Sequence, residues 1–182
     1  MKRIALFIFG LIVISIGALA QAPDDAISTA LLALPANLRE AAAVIKWKPD
    51  FTYDTLKKGT NGLACYDRSG YPGQPPFSIE CTSTGNLDRE AQNLKAEALG
   101  DKAKAQAMLE SQEKDGTRVK PVYGSVWYHF AGADREHARM HMDIAIPGAT
   151  TQSTGLPDKP TQSSVWIMNA GTSTAHLMTP GE

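Results

Sequence analysis

Two histidines and one aspartate lie in the stretch REHARMHMDIAIP, which runs over residues 135–147. If this stretch is a β-strand, successive side chains point to opposite faces, so His141 and Asp143 share one face and the two methionines occupy the other. A further histidine, His176, lies in the similar segment TAHLMTP near the end of the chain. Pairing of the two strands would bring His141 and His176 together, with Asp143 beside them.

Two imidazoles and one carboxylate form a ligand set for a transition metal such as zinc or copper. The spacing of His137 and His141 matches helical zinc sites, but in a strand the two rings would lie roughly 13 Å apart. The metal hypothesis therefore depends on His141, His176 and Asp143. The alternative is that these are ordinary hydrogen-bonded or surface residues. The sequence does not require any cofactor.

A second candidate site is aromatic and would bind a ligand. Trp127, Tyr128 and Trp166 all lie in segments that are predicted as strands, and an aromatic sheet face can hold a peptide, a glycan or an apolar ligand. Tryptophans packed in the core explain the same pattern. The sequence contains no G-x-S-x-G elbow, P-loop or G-x-G-x-x-G motif, so no recognised catalytic set is present.

The candidate residues must be positioned by both strands and helices. Leu87, Ala91, Leu94 and Ala98 recur with a helical period, which predicts a helical segment over residues 87–112, interrupted near Gly100. Apolar or alternating runs bounded by turn residues predict strands at 44–47, 51–56, 63–66, 122–130, 137–146, 164–168 and 175–178. This order favours an α+β fold with a mainly antiparallel sheet and the helical segment packed on one face.

The chain has two cysteines, Cys65 and Cys81, which we expect to form a disulfide. The bond would tie the far end of the Gly- and Pro-rich loop at 69–76 back to the sheet. In the chain-entropy model, closing a loop of this size stabilises the fold by about 3 kcal/mol.

The N-terminus has the pattern of a secretory signal peptide. Lys2 and Arg3 precede an apolar run at residues 4–16, and a small-x-small cleavage signal ends at Ala20. Cleavage there removes 20 of the 182 residues and leaves a single domain of 162 residues, 21–182. We therefore expect an exported protein, periplasmic or secreted, without stable membrane insertion after cleavage. A retained membrane anchor is the alternative, although the run is shorter than the ~20 residues that a span needs.

The charge of the mature chain excludes one class of partner. Cleavage removes two of the 18 basic residues and none of the 19 acidic ones, which gives a net charge of −3. Such a chain has no general attraction to nucleic acid or anionic lipid. The expected partner is a small ligand or another protein.

Four segments in this order carry a resemblance to a known family: LKKGTNGLACYD, HMDIAIPG, GLPDKP and TAHLMTPG. The chain resembles an uncharacterised family of small secreted bacterial proteins that share G-T-N-G-x-x-C, G-L-P and A-H-x-M-x-P segments. The resemblance implies that the glycine-rich turn at 59–62, Cys65, His141, the loop at 155–157 and His176 are defining positions. It implies no particular activity, cofactor or partner.

Two hypotheses follow. The favoured one is an exported α+β domain that binds a ligand or a partner without catalysis. The alternative is a metal-binding protein or metal-dependent enzyme that uses His141 and His176. Enzymatic activity is left open by the sequence.

Overall fold

In a computed structural model, residues 23–179 are described, and they form one eight-stranded sheet. The strands are β1 Ala43–Trp47, β2 Tyr53–Lys57, β3 Leu63–Asp67, β4 Phe77–Ser83, β5 Val126–Gly132, β6 Arg139–Ala145, β7 Trp166–Met168 and β8 His176–Met178. Their order across the sheet is β2-β1-β3-β4-β5-β6-β8-β7. Of the neighbouring pairs, β1 and β3 run parallel and the others antiparallel. The α+β fold with a mainly antiparallel sheet is therefore confirmed, and β5–β6 and β7–β8 pair as antiparallel neighbours.

Within the described residues, five α-helices accompany the sheet: α1 Pro23–Ala30, α2 Ala36–Arg39, α3 Leu87–Glu97, α4 Lys102–Asp115 and α5 Thr151–Thr154. The segment predicted at 87–112 consists of α3 and α4. Gly100 adopts a φ of +64° between them, which ends the first helix. Asp101 then caps the second helix, because its carboxylate accepts hydrogen bonds from the backbone N–H groups of Ala103 and Lys104.

The two faces of the sheet carry different cores. On one face, Ile79 and the cysteines pack against α1 and the 3₁₀ turn Leu31–Ala33 that follows it. On the other face, Leu87 and Leu94 of α3 pack against Tyr66 and its neighbours. Helix α3 therefore covers the second face, as the sequence predicts.

The predicted disulfide is present. Cys65 of β3 and Cys81 of β4 are directly opposite in register, bonded to each other, and fully buried. Strand β4 is not among the strands predicted from the sequence. Every second residue there is polar, and its partner strands are distant in sequence. Those polar residues, Ser78, Glu80 and Thr82, are nevertheless buried. They lie on the face that α3 covers, and they begin the polar site described below.

The predicted signal peptide at 1–20 lies outside the described residues. Within residues 23–179, no helix has both the length and the apolar character to cross a membrane.

Candidate ligand-binding site

Three adjacent strands place polar side chains on the same face of the sheet. Glu80 of β4 is opposite His129 of β5, which is in turn opposite His141 of β6. Asp143 lies two residues beyond His141 and therefore shares its face. The strand alternation predicted for the histidine-bearing segment is thus what positions the site.

A continuous chain of hydrogen bonds joins these groups. The Nδ1 atom of His129 lies 3.2 Å from Glu80 Oε1, and its Nε2 atom lies 3.2 Å from Asp143 Oδ2. The other oxygen of Asp143 is 2.7 Å from His141 Nε2. Glu80 also accepts from Arg68, with Nη1 3.1 Å from both carboxylate oxygens. Both ring nitrogens of His129 are therefore bound by carboxylates, which favours the imidazolium form.

Arg68 is the buried centre of the carboxylate cluster. Its side chain is 4% exposed, and its Nη1 atom lies 2.7 Å from Glu90 Oε1 in addition to its contacts with Glu80. Its Nη2 atom pairs with Glu97. Glu90 also accepts a hydrogen bond of 2.8 Å from Asn93 of the same helix. One guanidinium thus holds three carboxylates from β4 and α3.

Burial and pairing shift the pKa values of this cluster in opposite directions. Burial and the neighbouring Glu80 raise the pKa of Glu90 to about 7. Burial alone would lower the pKa of His129, but its hydrogen bonds to Asp143 and Glu80 outweigh this effect and raise it to about 10. For Glu80 and Asp143, burial is outweighed by the bond to His129, so the pKa of each carboxyl is lowered.

Arg89 and Arg118 form a second buried basic group next to the first. Arg89 donates to the carbonyl of Val119 and, over 3.0 Å, to Thr174 Oγ1. Arg118 donates over 3.0 Å to Gln92 Oε1, and it also bonds the side chain of Asn93. These partners are neutral. Among residues 23–179, neither arginine has a carboxylate oxygen within 4.0 Å of a guanidinium nitrogen.

The electrostatic surroundings of these two arginines disfavour their positive charges. Burial lowers the pKa of Arg89. Burial and the charge of Arg89 lower the pKa of Arg118 to about 10. Glu113 attracts both from a distance, but its carboxylate accepts hydrogen bonds from Ser173 and Thr174 instead. An anion placed between the arginines would therefore be stabilised.

A cavity of about 170 Å³ lies between α3 and the polar sheet face. Four cationic side chains line it: Arg68, Arg89, Arg118 and His129. Three carboxyl groups also line it: Glu80, Glu90 and Asp143. Because the pKa of Glu90 is about 7, that carboxyl is about half ionised at neutral pH, and the lining is left with net positive charge. Solvent reaches the cavity, since the side chains of His129 and Asp143 are 25% and 21% exposed.

His176 supplies a polar group of a different kind to the same cavity. Its Nδ1 atom lies 2.7 Å from the carbonyl oxygen of Thr174, the residue whose hydroxyl accepts from Arg89. His176 is opposite Ala145 in register, and both residues line the cavity. The remaining wall is partly apolar and includes Trp127, Pro121 and Ala175.

The predicted metal ligands lie on one face but do not form a recognisable ligand cluster. Asp143 bonds His141, and the charges of His141 and His176 both lower the pKa of Asp143. His176 and Asp143 line the cavity. In the described part of the chain, no group of three or more His, Cys, Asp or Glu side chains is arranged to hold a metal ion. A zinc or copper site at His141, His176 and Asp143 stays a prediction.

The predicted aromatic residues are distributed over different environments. Trp127 lines the cavity. Tyr128, the next residue, lies on the opposite face and packs against the core that contains the disulfide. Trp166 is buried in β7 near the edge of the sheet. Of these three residues, only Trp127 contributes to the polar site.

Several residues of the site are not predicted by the sequence analysis. The sequence patterns assign no role to Glu80 or His129, nor to the buried residues Arg68, Arg89, Glu90 and Arg118. A local signal exists at β4 and β5, where polar residues alternate with apolar ones in FSIECTS and VWYHF. The pairing of Glu80 with His129 depends on a register between strands 49 residues apart. Nothing local in the sequence specifies that register.

The chain gives no match to family models, to curated proteins or to solved structures. The resemblance to small secreted bacterial proteins therefore stays a prediction, and the function must be argued from the site itself.

Because of the pKa shifts in the buried cluster, we expect the free energy of unfolding to fall as the pH rises above about 5. The pKa of Glu90 is raised from 4.5 to about 7, so its contribution is complete below 4.5 and is lost as the pH rises through 7. The pKa of His129 is raised from 6.5 to about 10, so its contribution is complete below 6.5 and is lost toward pH 10. Urea unfolding at a series of pH values would measure both losses.

A Glu90→Gln variant is the matched control, because the amide has nearly the same shape but does not titrate. Between about pH 5 and 7.5, its free energy of unfolding should fall less steeply with pH than that of wild type. At higher pH, the two proteins should show the same slope. Stability that rises over this range in wild type, or identical slopes for both proteins, would contradict the assignment.

Proposed function

We propose that this chain is an exported binding protein that holds a small organic anion in the cavity between α3 and the sheet, without catalysing a reaction. The observation that carries the proposal is the pair Arg89 and Arg118. These two guanidinium groups are 3% and 7% exposed, they line the cavity, and among the described residues they have no carboxylate partner.

The chemistry of guanidinium favours a carboxylate as the ligand group. The planar array of N–H donors matches the two oxygens of a carboxylate, and such charge-assisted bonds are about twice as strong as neutral ones. A buried charge without a counter-charge is costly, so a bound anion would relieve the mutual repulsion of Arg89 and Arg118. The cation of His129 adds to the positive potential on the opposite wall.

The size of the cavity limits the ligand. A volume of about 170 Å³ lies below the ~300–1,000 Å³ of pockets that hold drug-sized ligands. This favours an acid with a short carbon chain over a peptide or an oligosaccharide.

Two further observations support binding in an exported protein. His129 has both ring nitrogens bound to carboxylates, an arrangement that holds a charge in place instead of passing a proton to a substrate. The buried disulfide of β3 and β4 suits an oxidising compartment, in agreement with the predicted signal peptide.

Calorimetric titration with acetate and with its neutral analogue acetamide tests the proposal. The two molecules have nearly the same size, and they differ in charge. We expect saturable binding of acetate at low ionic strength and at least tenfold weaker binding of acetamide. Equal affinities, or no binding of either probe at millimolar concentrations, would refute an anion site.

A further inference from the structure

Thr174 brings an anion-binding group and a hydrogen-bond acceptor into one small site. Its hydroxyl oxygen accepts from Arg89 Nη2 over 3.0 Å, and its carbonyl oxygen accepts from His176 Nδ1 over 2.7 Å. Both partner side chains line the same cavity. A ligand of a few atoms can therefore contact Arg89 and His176 together.

The contact with Thr174 determines which nitrogen of His176 is free. A carbonyl oxygen can only accept a hydrogen bond, so Nδ1 must carry the proton. In the neutral ring, Nε2 then has an unshared electron pair and no hydrogen. Among the described residues, no side chain or backbone group donates to this atom. It is thus an acceptor that is available to a ligand.

We propose that the ligand is a short 2-hydroxycarboxylate, whose carboxylate binds Arg89 and Arg118 and whose hydroxyl donates to Nε2 of His176. This assignment rests on the anion site proposed above and specifies its ligand class. A hydroxyl on the carbon next to the carboxylate keeps both ligand groups within a molecule small enough for the cavity that Arg89, Arg118 and His176 line.

The surrounding charges favour a hydroxyl over an ammonium group as the donor. The cavity lining has net positive charge, which would repel an ammonium group. The carboxylates that would attract one are already engaged, since Asp143 binds two histidines and Glu80 binds Arg68 and His129. A hydroxyl is a neutral donor and does not meet this repulsion.

The rest of the ligand would meet apolar groups. Ala145, Ala175 and the ring of Trp127 line the cavity beside His176. They can accept one or two methyl or methylene groups. Lactate, with six non-hydrogen atoms, is a suitable probe for a cavity of about 170 Å³.

Calorimetric titration with lactate, propionate and alanine at pH 8 tests the inference. Propionate lacks the hydroxyl, and alanine replaces it with an ammonium group. We expect lactate to bind about three- to tenfold more tightly than propionate, the effect of one additional hydrogen bond, and alanine to bind most weakly. A His176→Phe variant should bind lactate and propionate with nearly equal affinity. His137→Phe is the matched control, because the His137 side chain is 73% exposed.

The outcomes distinguish the class of ligand from the existence of an anion site. Equal binding of lactate and propionate by wild type, tighter binding of alanine, or a lactate preference that persists in His176→Phe would overturn the 2-hydroxycarboxylate assignment. The anion site would survive any of these results, provided that propionate binding still depends on Arg118. If none of the three acids binds to wild type, both proposals fail. The comparison of lactate with propionate on wild type does not depend on the folding of a variant.

Discussion

Replacing Arg118 by glutamine should weaken acetate binding roughly 10- to 100-fold, the effect of losing one or more hydrogen bonds to a charged ligand. Arg118 is buried against Gln92 and Asn93, which hold its guanidinium at the cavity wall. Glutamine removes the charge and the donor fork together. Calorimetric titration of the variant measures the change in dissociation constant.

Two further variants show whether the loss is specific. Arg118→Lys keeps the charge but loses the planar fork, so its affinity should lie between those of wild type and Arg118→Gln. Arg135→Gln removes one positive charge from the exposed β5–β6 turn and should bind acetate like wild type. A folded Arg118→Gln protein with unchanged acetate affinity would contradict the role of this arginine, as would an equal loss in Arg135→Gln.

Replacing Arg68 by methionine should lower the free energy of unfolding by about 3–5 kcal/mol at pH 8, the usual cost of breaking a buried ion pair from one side. Arg68 is the cation on which the carboxylates of Glu80 and Glu90 converge, and all three side chains are almost fully buried. Without it, these two carboxylates would face each other with no arginine bonded to both, and His129 would remain hydrogen-bonded to Glu80. Urea unfolding measures the loss.

The destabilisation of Arg68→Met should depend on pH, and a second substitution should partly reverse it. Because Glu90 can be neutralised by a proton, the destabilisation of Arg68→Met should be smaller at pH 5 than at pH 8. The double variant Arg68→Met/Glu90→Gln should regain part of the loss at pH 8. Lys48→Met, which breaks the exposed pair with Asp54, should cost less than about 1 kcal/mol. A cost this small for Arg68→Met would show that the buried network does not stabilise the fold.

The parts of the fold that could be predicted are those that local patterns specify. Alternation in the histidine-bearing segment predicts β6 and places His141 and Asp143 on one face, as the structure has them. The even number of cysteines, together with the predicted signal peptide, predicts the bond between Cys65 and Cys81. The helical period and Gly100 predict the position of α3 and the interruption that follows it.

The site itself depends on contacts between distant parts of the chain. Arg68 meets Glu90 across 22 residues, and Arg89 meets Thr174 across 85. The helical period identifies the buried face of a helix by its apolar residues. It therefore does not distinguish Arg89, which is buried in α3, from an arginine on the exposed face. Strand β4 shows the same limit, since its alternating polar residues Ser78, Glu80 and Thr82 are buried in the structure. Buried charges are thus the residues for which local patterns are least informative.

The most direct measurement is a crystal structure of the protein with lactate at a concentration well above its dissociation constant. The expected result is a lactate carboxylate in the cavity between α3 and the sheet, within hydrogen-bond distance of Arg89 and Arg118. A cavity that contains only water under these conditions, or lactate bound elsewhere with both arginines turned away from it, would contradict the proposal that this is an anion-binding site.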